Sequence, residues 1–267
     1  MTDLGTMTLV GLALFGLAGG IGITAVGPGG VLPTMGMFLL TGLSPTTVAG
    51  TAIATHVATG ALGTYAYTRS GHLREPATRR TALLLSAAAV AGTPLGVLLN
   101  TLLPGRVFGL LLAAAVAVTG VLVWVRDRRE RKQEQEQEGT GTAEAGGPRP
   151  LTAPVTVAVG LLVSVAAGLF GLGGPMLSVP LLVLCGLPVL PALAAAQAQS
   201  VVVASVGTAG YLLHGSLDWG LALLVGVPEL AGVLIGVRIA RAVPTRRLKF
   251  ALAATLVALA PYLALHS

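Results

Sequence analysis

Two ionisable residues lie inside long apolar stretches of the sequence, where a charge is costly unless it has a partner or a watery cavity. Glu229 follows Pro228 near the middle of one stretch, and His56 lies about midway along another. A carboxyl group in this setting is a candidate for carrying a coupling proton. The alternative for Glu229 is a protonated group that only bridges two helices, and for His56 it is a packed, neutral imidazole.

Hydroxyl and amide side chains cluster around His56 and in a second apolar stretch. A threonine in a membrane helix often bonds only its own backbone, which is the alternative to a solute contact for each threonine here. Amides are harder to satisfy in lipid because each needs several partners. We therefore expect both clusters to contribute to a solute-binding site, with these members: Thr51, Thr55, His56, Gln197, Gln199 and Ser200.

Two glycine-rich breaks, 27–30 (GPGG) and 171–175 (GLGGP), each separate a full apolar segment from a short one. Glycines let the chain turn tightly and bring backbone N–H groups close to a ligand. Pro175 suits the first residue of a helix, whose free N–H groups and partial positive end would face a cavity. Ordinary tight turns at the membrane surface are the alternative. We expect these residues to line the solute site: Gly27, Gly29, Gly30, Gly173, Gly174 and Pro175.

No enzyme signature accompanies these residues. The sequence has no nucleophile elbow, no His-Glu-x-x-His and no phosphate-binding loop of the Walker type. Its single cysteine, Cys185, excludes an internal disulfide and a cysteine-cluster metal site. We expect no catalysis, no cofactor and no bound metal. An ion gradient, the membrane potential or the solute's own gradient would then supply the energy for transport.

The composition predicts an all-α integral membrane protein embedded in a lipid bilayer. Of the 267 residues 54% are hydrophobic and 10% charged, whereas an ordinary soluble domain has about 25% charged residues. The net charge of +6 comes from short Lys and Arg runs between apolar stretches, so no nucleic-acid partner is expected. The first ten residues contain Asp3 and no Lys or Arg, so we expect no cleavable signal peptide.

Ten hydrophobic segments follow one another along the chain. A full span needs about 20 apolar residues, and the second and seventh segments are shorter. Both short segments follow a glycine break, and the sequence leaves open whether they cross the membrane or turn back. The ten segments are 7–26, 30–43, 46–68, 80–100, 105–125, 154–171, 175–187, 191–213, 217–240 and 245–265.

The two halves of the sequence repeat each other. A shift of 144 residues superposes Gly63 on Gly207, Tyr67 on Tyr211, Thr55 on Gln199 and His56 on Ser200, and a shift of 140 superposes Gly92 on Gly232 and Gly96 on Gly236. Each half holds five segments, an odd number, so the two copies must have opposite orientations in the membrane. We predict two inverted membrane repeats, 1–125 and 154–267, joined by a charged and flexible linker, 126–153.

The basic residues predict which side of the membrane each loop faces. Of the 16 Lys and Arg residues, Arg106 alone falls in an outside loop on the ten-segment count. Cytoplasmic loops carry the excess of Lys and Arg in membrane proteins. We therefore expect a multi-pass protein of the cell (inner) membrane with a cytoplasmic linker and both termini outside.

The breaks GPGGVLP (27–33) and GLGGPMLSVP (171–180), the polar small-residue helix after each, and the repeat itself resemble the sulfite exporter TauE/SafE-like permease family. This family is also called the toluene sulfonate uptake permease family. The resemblance covers nearly the whole chain apart from the linker. It implies a secondary carrier of sulfite, sulfonates or other organosulfur anions. The first break departs from the pattern because Pro28 stands among its glycines and no proline matches Pro175, which points to two unequal halves of the site.

The sequence therefore predicts a secondary transporter of a small anion, with the two halves arranged around a central site. Cations are scarce inside the segments, so anion affinity would rest on helix N-termini and on hydroxyl or amide donors. That leaves a neutral or zwitterionic solute open. A channel-like conduit and a non-transport membrane assembly protein are the alternatives. The substrate, the transport direction, the coupling ion and a homo-oligomeric state stay undetermined by the sequence.

Overall fold

The computed structural model describes residues 4–25, 27–140 and 151–242, together with the single residues 254, 261 and 265. Helices account for nearly all of this part, and it contains no strand. The helices are α1 (Thr6–Ala25), α2 (Val31–Thr41), α3 (Pro45–Arg69), α4 (Pro76–Leu102), α5 (Gly105–Thr140), α6 (Ala153–Phe170), α7 (Pro175–Leu184), α8 (Val189–Leu213) and α9 (Trp219–Ala242), with short 3₁₀ turns at Pro28–Gly30 and His72–Arg74. The predicted tenth segment, 245–265, lies outside the described residues except for three positions.

The residue types at the helix ends explain where several of these helices begin. Ser44 precedes α3, and its hydroxyl accepts a hydrogen bond from the Thr47 N–H at 3.3 Å. Asp218 precedes α9, and its carboxylate accepts from the Leu221 N–H at 3.0 Å. Each side chain satisfies one of the N–H groups that a helix start leaves without a partner. Asp218 is partly buried in the loop before α9 and acts as its cap.

Six helices in the described part of the chain are long and apolar enough to cross a membrane: α1, α4, α5, α6, α8 and α9. The α3 helix is also long, with 25 residues, but its threonines and His56 lower its mean hydropathy. Half of these polar residues are buried inside the protein: Thr51, Thr55, His56 and Thr59. The prediction of an all-α, multi-pass membrane protein is confirmed. Residues 126–140 of the predicted linker continue α5.

Small residues allow two helix pairs to pack at very short distances. The α1 helix packs on α9, and α4 packs on α6. A Cβ atom added to Gly232 would lie 3.1 Å from the Cα of Gly20, and one added to Gly96 would lie 3.0 Å from the Cα of Gly168. Such close approach is the usual way in which membrane helices gain van der Waals contact. Both pairs join the first half of the chain to the second.

The α3 and α8 helices pack on each other between these two pairs. Side chains from α8 and α4 fix the end of α6, where the second glycine break begins. The Tyr211 hydroxyl donates to the Gly168 carbonyl at 2.7 Å, and the Asn100 amide donates to the Leu169 carbonyl at 2.6 Å. These bonds satisfy carbonyls at a helix end that lack partners within the helix. The second break is therefore held in place by its neighbours.

Candidate solute site at the two glycine breaks

Both glycine breaks start with a backbone conformation that favours glycine. Gly27 has φ +108° and Gly171 has φ +70°, values that side chains with a Cβ rarely adopt. A backbone hydrogen bond across five residues ends each preceding helix. The Gly27 N–H donates to the Gly22 carbonyl, and the Leu172 N–H donates to the Ala167 carbonyl. Residues 27–30 and 171–175 are all buried. The breaks thus lie inside the protein, not in turns exposed at its surface.

The helices that follow the breaks are too short to cross a bilayer. The α2 helix has 11 residues and α7 has 10, so each is about 15 Å long, whereas the hydrocarbon core is about 30 Å thick. Pro175 is the first residue of α7, as the sequence predicts. The second and seventh hydrophobic segments, which the sequence left as either crossing the membrane or turning back, therefore form helices of about half the length that a crossing needs.

His56 connects the first break to α9. Its Nε2 atom lies 3.1 Å from the carbonyl oxygen of Gly30, and its Nδ1 atom lies 2.9 Å from Oε1 of Glu229. Both side chains are almost completely buried, with 1% and 0% of their surfaces exposed. The second carboxylate oxygen, Oε2, has no hydrogen-bond partner among the described residues. The two ionisable groups that the sequence singled out are direct neighbours.

The second break meets the other side of the same imidazole. A Cβ atom added to Gly173 would lie 3.5 Å from Cγ of His56 and 3.5 Å from the Ser200 hydroxyl oxygen. One added to Gly30 would lie 3.5 Å from the Gly173 nitrogen, and one added to Gly174 would lie 3.2 Å from the Ser200 Cα. Six of the predicted site residues therefore come together: Gly30, His56, Gly173, Gly174, Ser200 and Glu229.

The backbone of the second break offers hydrogen-bond donors beside His56. Within the described residues, the N–H groups of Gly173 and Gly174 donate to no backbone carbonyl. They precede α7, whose N-terminus carries a partial positive charge. Together with the Ser200 hydroxyl they can bind an anion at the start of a helix, which is a common arrangement for phosphate and carboxylate groups.

Two of the predicted glycines, Gly27 and Gly29, face away from this centre. Gly29 faces α1, where a Cβ would overlap the backbone of Gly22 and Ile23. Gly27 lies beside Val179, and Pro175 is buried at the start of α7. Gly29 is therefore placed where only a glycine allows the first break to approach α1.

The two predicted threonines are occupied by bonds within the protein. The Thr51 hydroxyl accepts from the Asp218 N–H at 3.1 Å, which ties α3 to the start of α9. The Thr55 hydroxyl donates to the Ala52 carbonyl at 2.9 Å, one turn earlier on its own helix. This second bond is the backbone alternative that membrane threonines often take.

The two glutamines of α8 differ sharply in their surroundings. The oxygen of Gln199 accepts from the Ser178 hydroxyl at 2.5 Å, and its nitrogen donates to the Ser164 hydroxyl at 3.1 Å. Gln199 therefore joins α6, α7 and α8. Both polar atoms of Gln197 are buried and have no hydrogen-bond partner among the described residues.

Sequence reasoning missed several residues that shape this region. Gly60 and Gly63 line α3 where α8 packs, because a Cβ on Gly60 would lie 3.3 Å from the Ser200 hydroxyl oxygen. Ser164 and Ser178 are the hydroxyl partners of Gln199. The available signal was spacing: Gly60 lies four residues after His56, and Gly63 is repeated as Gly207.

Comparison with known proteins decides the family. The family model described as Sulfite exporter TauE/SafE matches residues 12–263, nearly the whole chain. The chain belongs to the TauE/SafE family. The resemblance that the glycine breaks suggested is confirmed. The TauE/SafE match includes both breaks, both glutamines and the His56–Glu229 pair.

A curated relative agrees with the TauE/SafE assignment. The chain is 23% identical over 207 residues to the probable membrane transporter protein YdhB of Bacillus subtilis (strain 168), and the match covers 77% of this chain and 79% of the relative. No solved structure matches the chain. The TauE/SafE protein described here is thus a multi-pass membrane transporter with a buried centre at its two glycine breaks.

Proposed function

We propose that this protein is a secondary carrier of a small anion, with sulfur oxyanions and sulfonates as the favoured class. The observation that carries the proposal is the position of His56, between the two glycine breaks and in contact with Glu229. Broken segments at matching positions of two halves are typical of the binding sites of transporters. The family and the relative support transport, and the chemistry of the site supports an anion.

The anion would bind at the second break. The Gly173 and Gly174 N–H groups and the Ser200 hydroxyl are donors that need no formal charge, which suits a site that must also release its solute. Among the described residues beside the breaks, His56 is the buried side chain that can become a cation. An oxyanion that accepts from these donors would lie next to the imidazole ring.

The His56–Glu229 pair would carry the coupling proton. A carbonyl oxygen only accepts, so His56 Nε2 must donate to Gly30 and keep its hydrogen. His56 Nδ1 and Glu229 Oε1 are 2.9 Å apart. One of the two atoms must carry a proton, because otherwise their lone pairs would repel each other. With this shared proton the His56–Glu229 pair has no net charge. If it takes up a second proton, its net charge becomes +1. A positive pair would attract the anion, so one proton and one anion would move together.

The two halves would be inverted repeats. The Gly92–Ser164 contact of α4 with α6 and the Gly232–Gly20 contact of α9 with α1 occupy equivalent positions under the repeat. His56 and Ser200, also equivalent, face each other across Gly173. Both relations support a twofold arrangement around the α3–α8 contact. A domain division at 1–125, 126–153 and 154–267 follows from it.

The distribution of basic residues predicts an orientation that labelling can check. Single cysteines would be introduced at Thr2, Ser267 or Thr142 in a Cys185→Ala background, because the native Cys185 is exposed. We expect a membrane-impermeant thiol reagent to label the first two positions in intact cells and to reach position 142 only after permeabilisation. Labelling of position 142 in intact cells would contradict this orientation and place the linker outside.

Transport by the purified chain in proteoliposomes tests the function. We expect uptake of sulfite and of small sulfonates, faster with an inward proton gradient, and much slower uptake of carboxylates of the same size. Empty vesicles and vesicles with Gly105→Ala, a substitution whose Cβ would meet only Pro45 at 3.9 Å, are the controls. Equal uptake of every small anion would favour a channel-like conduit.

A further inference from the structure

The amide of Gln197 is buried and has no hydrogen-bond partner in the described part of the chain, whereas the amide of Gln199, two residues later on α8, is hydrogen-bonded. The Gln197 side chain is 1% exposed, and neither its nitrogen nor its oxygen forms a hydrogen bond within the described residues. A buried amide in apolar surroundings is costly unless it is hydrogen-bonded. The position therefore calls for a polar partner that is not part of the described chain.

Gln197 extends the central site by one helical turn. It lies three residues before Ser200 on α8, so both side chains are on the same face of that helix. On α3, a Cβ added to Gly60 would lie 3.3 Å from the Ser200 hydroxyl oxygen, and one added to Gly63 would lie 2.6 Å from the Gln197 amide oxygen. Ser200 therefore lies opposite Gly60 of α3, and Gln197 lies opposite Gly63, which is closer to the C-terminal end of α3.

The other repeat makes the same contact without an amide. Ile53 is equivalent to Gln197, and Gly207 is equivalent to Gly63. A Cβ added to Gly207 would lie 3.3 Å from Cγ1 of Ile53. In that repeat the apolar side chain of Ile53 packs opposite the glycine. Packing between the two helices therefore does not by itself require an amide at position 197.

We propose that Gln197 is a second contact for the transported anion and binds a hydrogen-bonding substituent, such as a hydroxyl, about 5 Å from the oxyanion centre. This inference rests on the proposed function, because it takes the oxyanion to lie at Gly173, Gly174 and Ser200. The amide nitrogen donates and the amide oxygen accepts. A hydroxyl can pair with either atom, whereas a methyl group leaves both unpaired.

Two probes that differ by one hydroxyl test the contact: 2-hydroxyethanesulfonate and ethanesulfonate. Gln197→Met keeps the length of the side chain and removes both polar atoms. In proteoliposomes we expect kcat/KM for 2-hydroxyethanesulfonate to fall about tenfold or more, because a lost hydrogen bond to a buried group discriminates strongly. For ethanesulfonate we expect a change of less than about twofold, since the substituent has no bond to lose.

Gln199→Met is the matched control for folding. It breaks bonds to Ser178 and Ser164, so its melting temperature is expected to fall and its uptake of both probes to fall together. Gln197→Met is expected to keep the parent melting temperature. Gln197→Leu repeats the comparison, so the result does not depend on the folding of one variant.

Two results would overturn the second contact alone: equal losses for both probes in Gln197→Met and Gln197→Leu, or no loss for either probe. Parent vesicles that take up neither probe would overturn the proposed sulfonate transport and the second contact with it. Loss confined to the hydroxyl probe supports both.

Discussion

Replacing Gly173 with alanine is expected to reduce anion uptake while leaving the protein folded. The added Cβ would lie 3.5 Å from His56 and from Ser200, an ordinary contact distance, so the fold accommodates it. The methyl group would occupy the space through which the proposed anion would reach the Gly173 N–H. Loss of one hydrogen bond to a charged group costs about 1.5–3 kcal/mol, so uptake is expected to fall about tenfold to a hundredfold. Gly173→Val, with two further methyl groups, is expected to abolish uptake without preventing membrane insertion.

Anion uptake into proteoliposomes of equal protein content measures this effect. Gly105→Ala is the control, because a Cβ atom at Gly105 has room. Size-exclusion profiles and melting temperatures of both variants should match those of the parent. Parent-like uptake by both Gly173→Ala and Gly173→Val would remove the second break from the solute path. Loss of the folded protein in Gly173→Ala would contradict the packing described at this glycine.

Glu229→Gln is expected to abolish accumulation of the anion driven by a proton gradient. If one proton moves with each anion, a gradient of one pH unit supports about tenfold accumulation, since one pH unit corresponds to about 1.4 kcal/mol. Glutamine keeps the size of the side chain and can still bond His56 Nδ1, but it does not take up or release a proton. The variant should therefore bring the anion only to equal concentrations inside and outside.

Exchange of labelled for unlabelled anion should survive in Glu229→Gln, because the N–H donors of the second break are untouched. The rate of that exchange should also lose its dependence on pH. Accumulation equal to that of the parent would show that Glu229 is a structural bridge between α9 and α3. It would leave His56 as the remaining candidate for proton coupling within the described membrane interior.

The positions of most helices were predictable because the lengths of the hydrophobic segments decide them. The predicted segment 46–68 corresponds to α3, Pro45–Arg69, and 191–213 corresponds to α8, Val189–Leu213. Glycine and proline at the breaks predicted the interruptions, since few other residues allow such turns. The half-length of α2 and α7 was the part that hydropathy left undecided.

Pairings between distant residues were not predictable from spacing alone. His56 and Glu229 are in contact although 173 positions separate them in the sequence. Gln197 and Gln199 have the same side chain in the same helix. Gln199 is bonded through both polar atoms, whereas Gln197 has no hydrogen-bond partner among the described residues. Two residues along a helix turn a side chain by about 200°, so the packing of α6 and α7 decides which amide is satisfied.

Counterflow of sulfite is the most direct test of a secondary carrier centred on the glycine breaks. Proteoliposomes loaded with unlabelled sulfite would be diluted into a trace of radiolabelled sulfite, with the membrane potential held at zero by potassium and valinomycin. We expect a transient accumulation of label above its equilibrium level in parent vesicles, and no such overshoot with Gly173→Val. A steady approach to equilibrium without overshoot, or no protein-dependent uptake of sulfite, would contradict it.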